Sequence, residues 1–369
     1  MNRKIITQFI CLSLITLCFM QVGCSTLEYY GQAVMGQASI LMKRKSIRKI
    51  LQDPEIPEDE RNKLELVLQL RNFAETELKE SFGGSFTSLV RLNREFVSWN
   101  VMAAPEFALE PLEFCFPIAG CVYYKGYFGE DNAREMAAEY RAEGYDVFVS
   151  GVSAYSTLGW FDDPVFGHFL DLSEVDLAAL IFHEIAHQLL YLPGDTVFNE
   201  SFAETLEREL VRRWLQAENR AVEYNLYQDA LDRQTKFVKR VERRKKVLTD
   251  LYKVEVSEEA KRALKMQQFE ILLWEADGRF DARSSREKDS FDQLNNARLA
   301  AFSSYNNLVE DFQQVLQACG GYMDRYLETS RYLMGVRKKE LKKGLLREDG
   351  MKVVKEFPQG WTGCYSGNE

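Results

Sequence analysis

Residues 174–191 limit, more than any other stretch, how this chain can fold. Leu177, Leu180, Ile181, Ile185, Leu189 and Leu190 recur at helical spacing and wrap most of the segment in apolar side chains. The pattern predicts a helix over Val175–Tyr191 that stops before Pro193-Gly194. Ser173 is its N-cap, with Asp176 three residues on in a capping-box arrangement. A helix this apolar is buried, yet it carries His183, Glu184 and His187 in the run HEIAH. Three polar groups in a dry core are costly without partners, and one bound ion satisfies them together. His183 and His187, four residues apart, share a helix face and can point at a single cation.

Twelve residues separate His187 from Glu200, and Pro193-Gly194-Asp195 gives the chain room to turn back. A second helix is expected to begin between Thr196 and Asn199, antiparallel to the first, which would bring Glu200 to the histidine pair as a third ligand. Glu204, one turn beyond Glu200, is the first choice to accept the distal N–H of a ligating histidine, with Glu207 ranked below it. Three neutral or anionic ligands plus one open position make a catalytic zinc site, here one ion per chain, and Glu184 stands beside it as a base for water. The chain has three histidines, and two of them fall in this motif. The third, His168, reads as a solvated loop residue that would otherwise line the cleft.

The ends of the chain bear on its compartment. Arg3 and Lys4 precede a mostly apolar stretch from Ile5 to Met20, too short for a membrane span and charged on the side that suits export. Gln21-Val22-Gly23-Cys24 resembles a bacterial lipobox, in which Cys24 becomes the lipidated first residue; an uncleaved anchor is the alternative. With Ser25 following, the expected location is the periplasmic face of the outer membrane. Removing residues 1–23 takes away two basic groups and no acidic one, which moves the formal charge from −9 to −11. So acidic a body argues against nucleic acid as a partner. Cys115, Cys121, Cys319 and Cys364 remain in an oxidising compartment, and three connectivities are open to them. Cys115–Cys121 with Cys319–Cys364 is the nearest-neighbour choice, and free buried thiols are the alternative.

The texture of the sequence predicts a mainly α protein with a small β-sheet. Four stretches are expected: residues 1–23 as leader, 24–110 as an N-terminal helical region, 111–345 as the catalytic domain with its long helices, and 346–369 as a tail. Helical spacing runs over 26–52, which includes Lys43-Arg44-Lys45, and over 58–80. Residues 86–99 read as mixed helix and strand. Aromatic and β-branched residues from 110 to 160 predict a strand near Cys121–Lys125, a helix over Asn132–Glu143 and a strand over Tyr145–Val149, a small β-α-β unit. Nearly everything after 174 reads as helix, with two helices over 290–340. The basic cluster from Lys236 to Lys246 reads as a solvated helix face.

The HExxH motif followed by Asn199-Glu200-x-x-Ala203-x-x-x-Glu207 resembles the gluzincin zinc peptidases, and the resemblance implies a zincin-like core. It also implies that His183, His187 and Glu200 bind zinc and that Glu184 activates water. The spacer here is shorter than in that group, implying a tighter loop. A closer resemblance is to the bacterial family of predicted aminopeptidase lipoproteins, carried by three long runs. These are Gly120-Cys121…Tyr124-x-Gly126-Tyr127-Phe128, then Ala154-Tyr155-Ser156-Thr157-Leu158-Gly159-Trp160-Phe161-x-Asp163-Pro164, then Phe182 to Gln188 continuing through Pro193 to Ala203. Asn295-Asn296-Ala297 and Tyr305 extend it. That family implies a membrane-anchored peptidase acting on peptide substrates. Release of single N-terminal residues rests on its naming, since no Gly-x-Met-Glu-Asn segment occurs here to hold a substrate amine.

For peptide hydrolysis a third group must stabilise the oxyanion, and Tyr155 and Tyr305 are the candidates, with His168 behind them. Val152–Leu158 is a candidate edge strand for an extended substrate. Two other functions fit the sequence. One is an envelope scaffold whose metal site only staples helices; the other is a zinc amidase acting on cell-wall peptides.

Overall fold

A computed structural model of the chain describes residues 28–116, 120–154, 157, 161–275, 294–303, 308–342 and 364. Cys24, Tyr155 and Tyr305 lie outside these residues, as do the leader and most of the 346–369 tail. The protein is mainly α-helical with small sheets, as its sequence texture predicts.

Helix α1 (28–43) leads through strand β1 (Lys45–Ser46) and the single turn α2 (Ile47–Ile50) into α3 (Glu58–Leu78). Strand β2 (Ser88–Val90) pairs antiparallel with β1 and parallel with β8 (Val165–Phe166). Strand β3 (Ser98–Pro105) is the middle of a separate three-stranded sheet, between β6 (Lys125–Tyr127) and β7 (Tyr145–Val152). Both neighbours run antiparallel to it, with Trp99 opposite Tyr127 and Val101 opposite Val149. β6 and β7 are therefore parallel to each other, and α4 (Glu130–Ala142) makes the crossover between them. The helix and second strand of the expected β-α-β unit are present. The stretch expected as its first strand, near Cys121–Lys125, is interrupted at Tyr123-Tyr124 and only its end reaches β6; β3 is inserted between β6 and β7.

The period-two alternation of β3 gives each face of the sheet its own cover. Trp99, Val101 and Ala103 point toward α4, where they join Ala133, Ala137 and Val147. Met102 and Ala104 point the other way, onto Ala297 and Ala300 of α9 (Asn296–Ser303). Strands β4 (Phe114–Phe116) and β5 (Gly120–Val122) form a two-stranded hairpin closed by the Cys115–Cys121 disulfide. The second disulfide joins Cys319 to Cys364, so the pairing is the nearest-neighbour one.

The principal core lies among α3, α5 (Glu174–Leu189) and α6 (Thr196–Ala217), with α10 (Val309–Ala318) and α11 (Met323–Lys342) behind α6. Leu64, Val67 and Leu70 of α3 meet Leu177, Ile181 and Phe182 of α5 in it, so the segment before residue 110 shares its core with the rest of the chain. Helices α7 (Ala221–Tyr252) and α8 (Glu258–Glu275) form a hairpin with a smaller core around Val241, Leu248, Phe269 and Leu272. Among the described residues between 290 and 340 there are three helices where the sequence suggests two; Gly320 and Gly321, at φ +65° and +73°, separate α10 from α11. The basic residues of α7 from Lys236 to Lys246 lie mostly at the surface, with Arg244 paired to Glu275 of α8.

Candidate metal centre

Helix α5 starts where its cap dictates. The Ser173 hydroxyl accepts from Asp176 N–H at 3.1 Å and donates to the Asp176 carboxylate at 2.8 Å. Leu177, Ala178, Ile181, Phe182, Ile185 and Ala186 are buried around most of its circumference. The remaining stripe carries His183, Glu184 and His187. After Leu189 the chain turns within six residues, and Gly194 takes a left-handed conformation (φ +84°) that favours glycine.

Two side chains fix how α6 begins. Asp195 is its N-cap, accepting from Phe198 N–H at 3.0 Å, and it also forms a buried ion pair with Arg337 of α11. Asn199 clamps the turn from inside the helix, accepting from Leu192 N–H at 2.7 Å and donating to Leu192 C=O at 2.9 Å. The disulfide hairpin presses on this turn from outside. A Cβ at Gly120 would lie 2.6 Å from the Gly194 nitrogen, so only glycine allows the approach. Contacts of His183 with Glu207, of His187 with Glu200 and of Leu192 with Asn199 show that α5 and α6 run antiparallel.

This packing brings His183, His187 and Glu200 together. The two Nε2 atoms are 3.2 Å apart, His183 Nε2 is 3.3 Å from Glu200 Oε2, and His187 Nε2 is 3.7 Å from Glu200 Oε1. Tetrahedral ligands held about 2.0–2.1 Å from zinc sit about 3.3 Å from one another. The three donor groups therefore match a zinc coordination triangle in type and spacing, and nothing within the triangle needs to move far to close on an ion. One nearby atom supports the same reading: among the described residues, Glu184 Oε2 is buried and lacks a hydrogen-bond partner, which a water at the ion would supply. His187 Nδ1, on the side of the ring away from the triangle, is also buried without a partner.

The charges of the metal-free cluster follow from this crowding. Burial pulls His183 down, but hydrogen bonds and charge from Glu200 and Glu207 outweigh it and hold the imidazole well above its ordinary value. His187, buried without such bonds, is pushed down to about 4. Glu200 is raised by burial and lowered further by His183 and His187, ending below the usual carboxylate range. Glu184 is pushed up to about 7, chiefly by burial, with the charges of Glu200 and Asp163 adding to it against His183.

The outer shell differs from the one ranked first by sequence. His183 Nδ1 meets Glu207 Oε2 at 3.0 Å, and the second oxygen of Glu207 accepts from the Tyr227 hydroxyl of α7 at 3.0 Å. Glu204 instead accepts from Arg208 one turn along α6. Helix geometry gives the reason: a residue at i+7 from Glu200 falls about 20° from its direction, whereas one at i+4 falls about 40° away. Tyr227 belongs to a helix twenty residues downstream of Glu207, and nothing local in the sequence marks it.

A further network ties the 154–163 region to α5. Asp163 accepts from Thr157 N–H and hydroxyl and from Gln188 Nε2 at 2.9 Å, while Ser85 also accepts from Gln188. The signals that could have revealed it are Gln188 directly after His187 and Asp163 within the long aromatic run. His168 is half-buried in a 3-10 turn, where its ring donates to Ser153 C=O at 2.9 Å and stacks on Phe166. It braces the chain just ahead of residue 155. β7 ends at Val152; of the rest of the candidate edge strand, Ser153, Ala154 and Thr157 are not in a strand, and the other three residues lie outside the described residues.

No curated protein and no solved structure matches the chain. A family model does, over residues 28–345, a stretch that holds the His183–His187–Glu200 cluster, the turn that builds it and the hairpin that braces it. The description of that family reads "Putative aminopeptidase", and the chain belongs to it.

Proposed function

We propose that this protein is a zinc-dependent peptidase of the gluzincin kind, acting as an aminopeptidase and anchored to the membrane through lipid on Cys24. The observation that supports it most is the donor triangle of His183, His187 and Glu200 with a buried, unpartnered Glu184 oxygen beside it. When bound, zinc would supply Lewis acidity, lowering the pKa of a coordinated water and polarising the scissile carbonyl. Glu184 then takes the proton of the attacking water and delivers it to the leaving amine. A carboxyl held near neutrality by burial suits both halves of that exchange, since it gains and loses a proton at little cost. Glu207 and Tyr227 hold the His183 ring through Nδ1, which leaves Nε2 to the donor triangle that would hold the ion, and Asn199 sets the start of the helix that presents Glu200.

The test is metal content by elemental mass spectrometry, followed by hydrolysis of a peptide panel with free and with acetylated N-termini. One zinc per chain, lost in His187→Ala, is expected. Glu184→Gln should keep the metal and lose hydrolysis, and acetylation should abolish cleavage of otherwise good substrates. A chain that takes up no zinc after reconstitution, or a Glu184→Gln variant as active as wild type, would refute the proposal. Equal cleavage of acetylated peptides would refute the aminopeptidase part alone.

A further inference from the structure

Helix α1 is apolar on two opposite sides, and only one of them is covered by the described residues. From Tyr29 to Met42 the helix has no charged residue. Its inner face docks closely. Tyr29 stacks on Phe116 and meets Tyr127 edge-on, and Gln32 accepts from Phe128 N–H at 2.9 Å. A Cβ at Gly36 would lie 2.2 Å from the Phe128 ring, and Ile40 is buried in the main core. At 100° per residue the opposite face carries Gly31, Val34, Met35, Ala38 and Met42. Val34, Met35 and Met42 are 67%, 72% and 81% exposed. An uncharged helix with large aliphatic side chains facing outward is the pattern of a surface that meets something apolar.

The charge around this face selects what that is. From residue 29 to residue 52 there are five basic residues and no acidic one, in a chain of net charge −9. Arg44 is engaged with the Asp162 carbonyl, but Lys43, Lys45, Arg48 and Lys49 are exposed and have no ion-pair partner among the described residues. Lys43 closes α1, Lys45 lies in β1, and Arg48 and Lys49 lie in α2, so the basic residues follow the apolar stripe at the C-terminal end of the helix. Exposed cations next to an apolar helix face suit a helix lying in the plane of a membrane: aliphatic side chains enter the acyl boundary while lysines sit among anionic headgroups. The rest of this acidic body would be repelled by such a surface. No described helix is long and apolar enough to cross a membrane, so α1 can only lie on one. Cys24 is four residues ahead of the described start of α1, within about 14 Å of extended chain.

We infer that the outer face of α1, with Lys43, Lys45, Arg48 and Lys49, is a docking surface for an anionic phospholipid bilayer that sets how the protein sits on the membrane. The inference does not depend on lipid at Cys24 or on zinc, and an unlipidated chain tests it separately from both. The exported chain from residue 25 onward is mixed with vesicles of phosphatidylcholine alone, or with a third phosphatidylglycerol, and partitioning is read by flotation. Binding to the anionic vesicles and not to the neutral ones is expected. Lys43→Glu with Lys45→Glu, and separately Met35→Glu with Met42→Glu, should each weaken it about tenfold or more. All four positions are exposed, so both double variants should unfold thermally as wild type does. Failure of wild type to bind anionic vesicles overturns the inference, as does wild-type binding by either double variant. Self-association abolished by Met35→Glu, without vesicle binding, also overturns it and assigns the face to a second copy.

Discussion

Replacing Glu207 should loosen the proposed zinc without touching any of the three residues proposed to hold it. Its carboxylate is 3.0 Å from His183 Nδ1, and the Tyr227 hydroxyl at 3.0 Å holds it from the far side. That arrangement keeps the proton on Nδ1, frees Nε2 for the ion and makes the imidazole a better donor. Loss of such an outer carboxylate weakens metal binding by about 10- to 100-fold. The equivalent free energy is about 1.4–2.8 kcal/mol. Glu207→Gln keeps the shape and one acceptor, so it belongs near the lower figure, and Glu207→Ala near the upper. Tyr227→Phe removes only the support and should cost less than tenfold. Glu204→Gln is the control, because Glu204 bonds Arg208 while Glu207 holds His183, and it should leave zinc affinity within about threefold of wild type. Affinity is read by competition with a chromogenic chelator, and the visible spectrum of the cobalt-substituted protein reports ligand geometry independently. Wild-type affinity in Glu207→Ala, or a larger loss in Glu204→Gln than in Glu207→Gln, would refute the assignment.

Burial of Glu184 predicts a pH-dependent cost in the metal-free protein. Its folded-state pKa is raised from 4.5 to about 7, so it favours folding most below pH 4.5, and that contribution is lost as the pH rises through 7. Glu184→Gln should therefore stabilise metal-free protein by up to about 3 kcal/mol at pH 8 and by almost nothing at pH 4.5, measured by urea unfolding; equal effects at both would contradict this. His187 works in the opposite sense, with its stabilising neutrality present above 6.5 and lost as the pH falls through about 4. Disulfide removal should scale with loop length: serine pairs replacing Cys319–Cys364, which are 45 residues apart, should cost about 4 kcal/mol, against about 2 kcal/mol for Cys115–Cys121. Guanidinium titrations showing the reverse order would argue that the hairpin bond bears on the site turn beyond its loop. Asn199→Ala strands both backbone groups of Leu192 and should lower stability by about 1–3 kcal/mol and weaken zinc binding too, whereas normal zinc affinity would show that the turn is set elsewhere.

The parts of this structure that were legible in sequence are the local ones. The cap at Ser173, the apolar wrap of α5, the break at Pro193-Gly194 and the helix from Thr196 each follow from residues a few positions apart, and together they deliver His183, His187 and Glu200 to one place. The parts that were not legible depend on long-range fit. β3 is the middle strand because Trp99 finds Tyr127 on one side and Gly151 on the other, and no periodicity within 98–105 states that register. Residues 86–99 looked like mixed helix and strand because their partners lie far along the chain. The choice of Glu207 over Glu204 depends on the rotation of α6 by a few tens of degrees, which the Asn199 clamp on Leu192 and the packing of α6 on α5 set. Tyr227 became part of the site only through the packing of α7 against α6.

The Asp195–Arg337 pair has a consequence for how the molecule is made. Asp195 opens the helix that presents Glu200, yet its buried counter-charge arrives 142 residues later, on the last helix of the described chain. Losing one partner of a buried pair costs about 3–5 kcal/mol. A chain emerging N-terminus first thus carries both histidines and Glu200 long before the turn between them is secured. Arg337 can add its hold on that turn only once α11 docks, and a shortened version that stops before Arg337 keeps the Asn199 clamp but leaves Asp195 buried without its counter-charge.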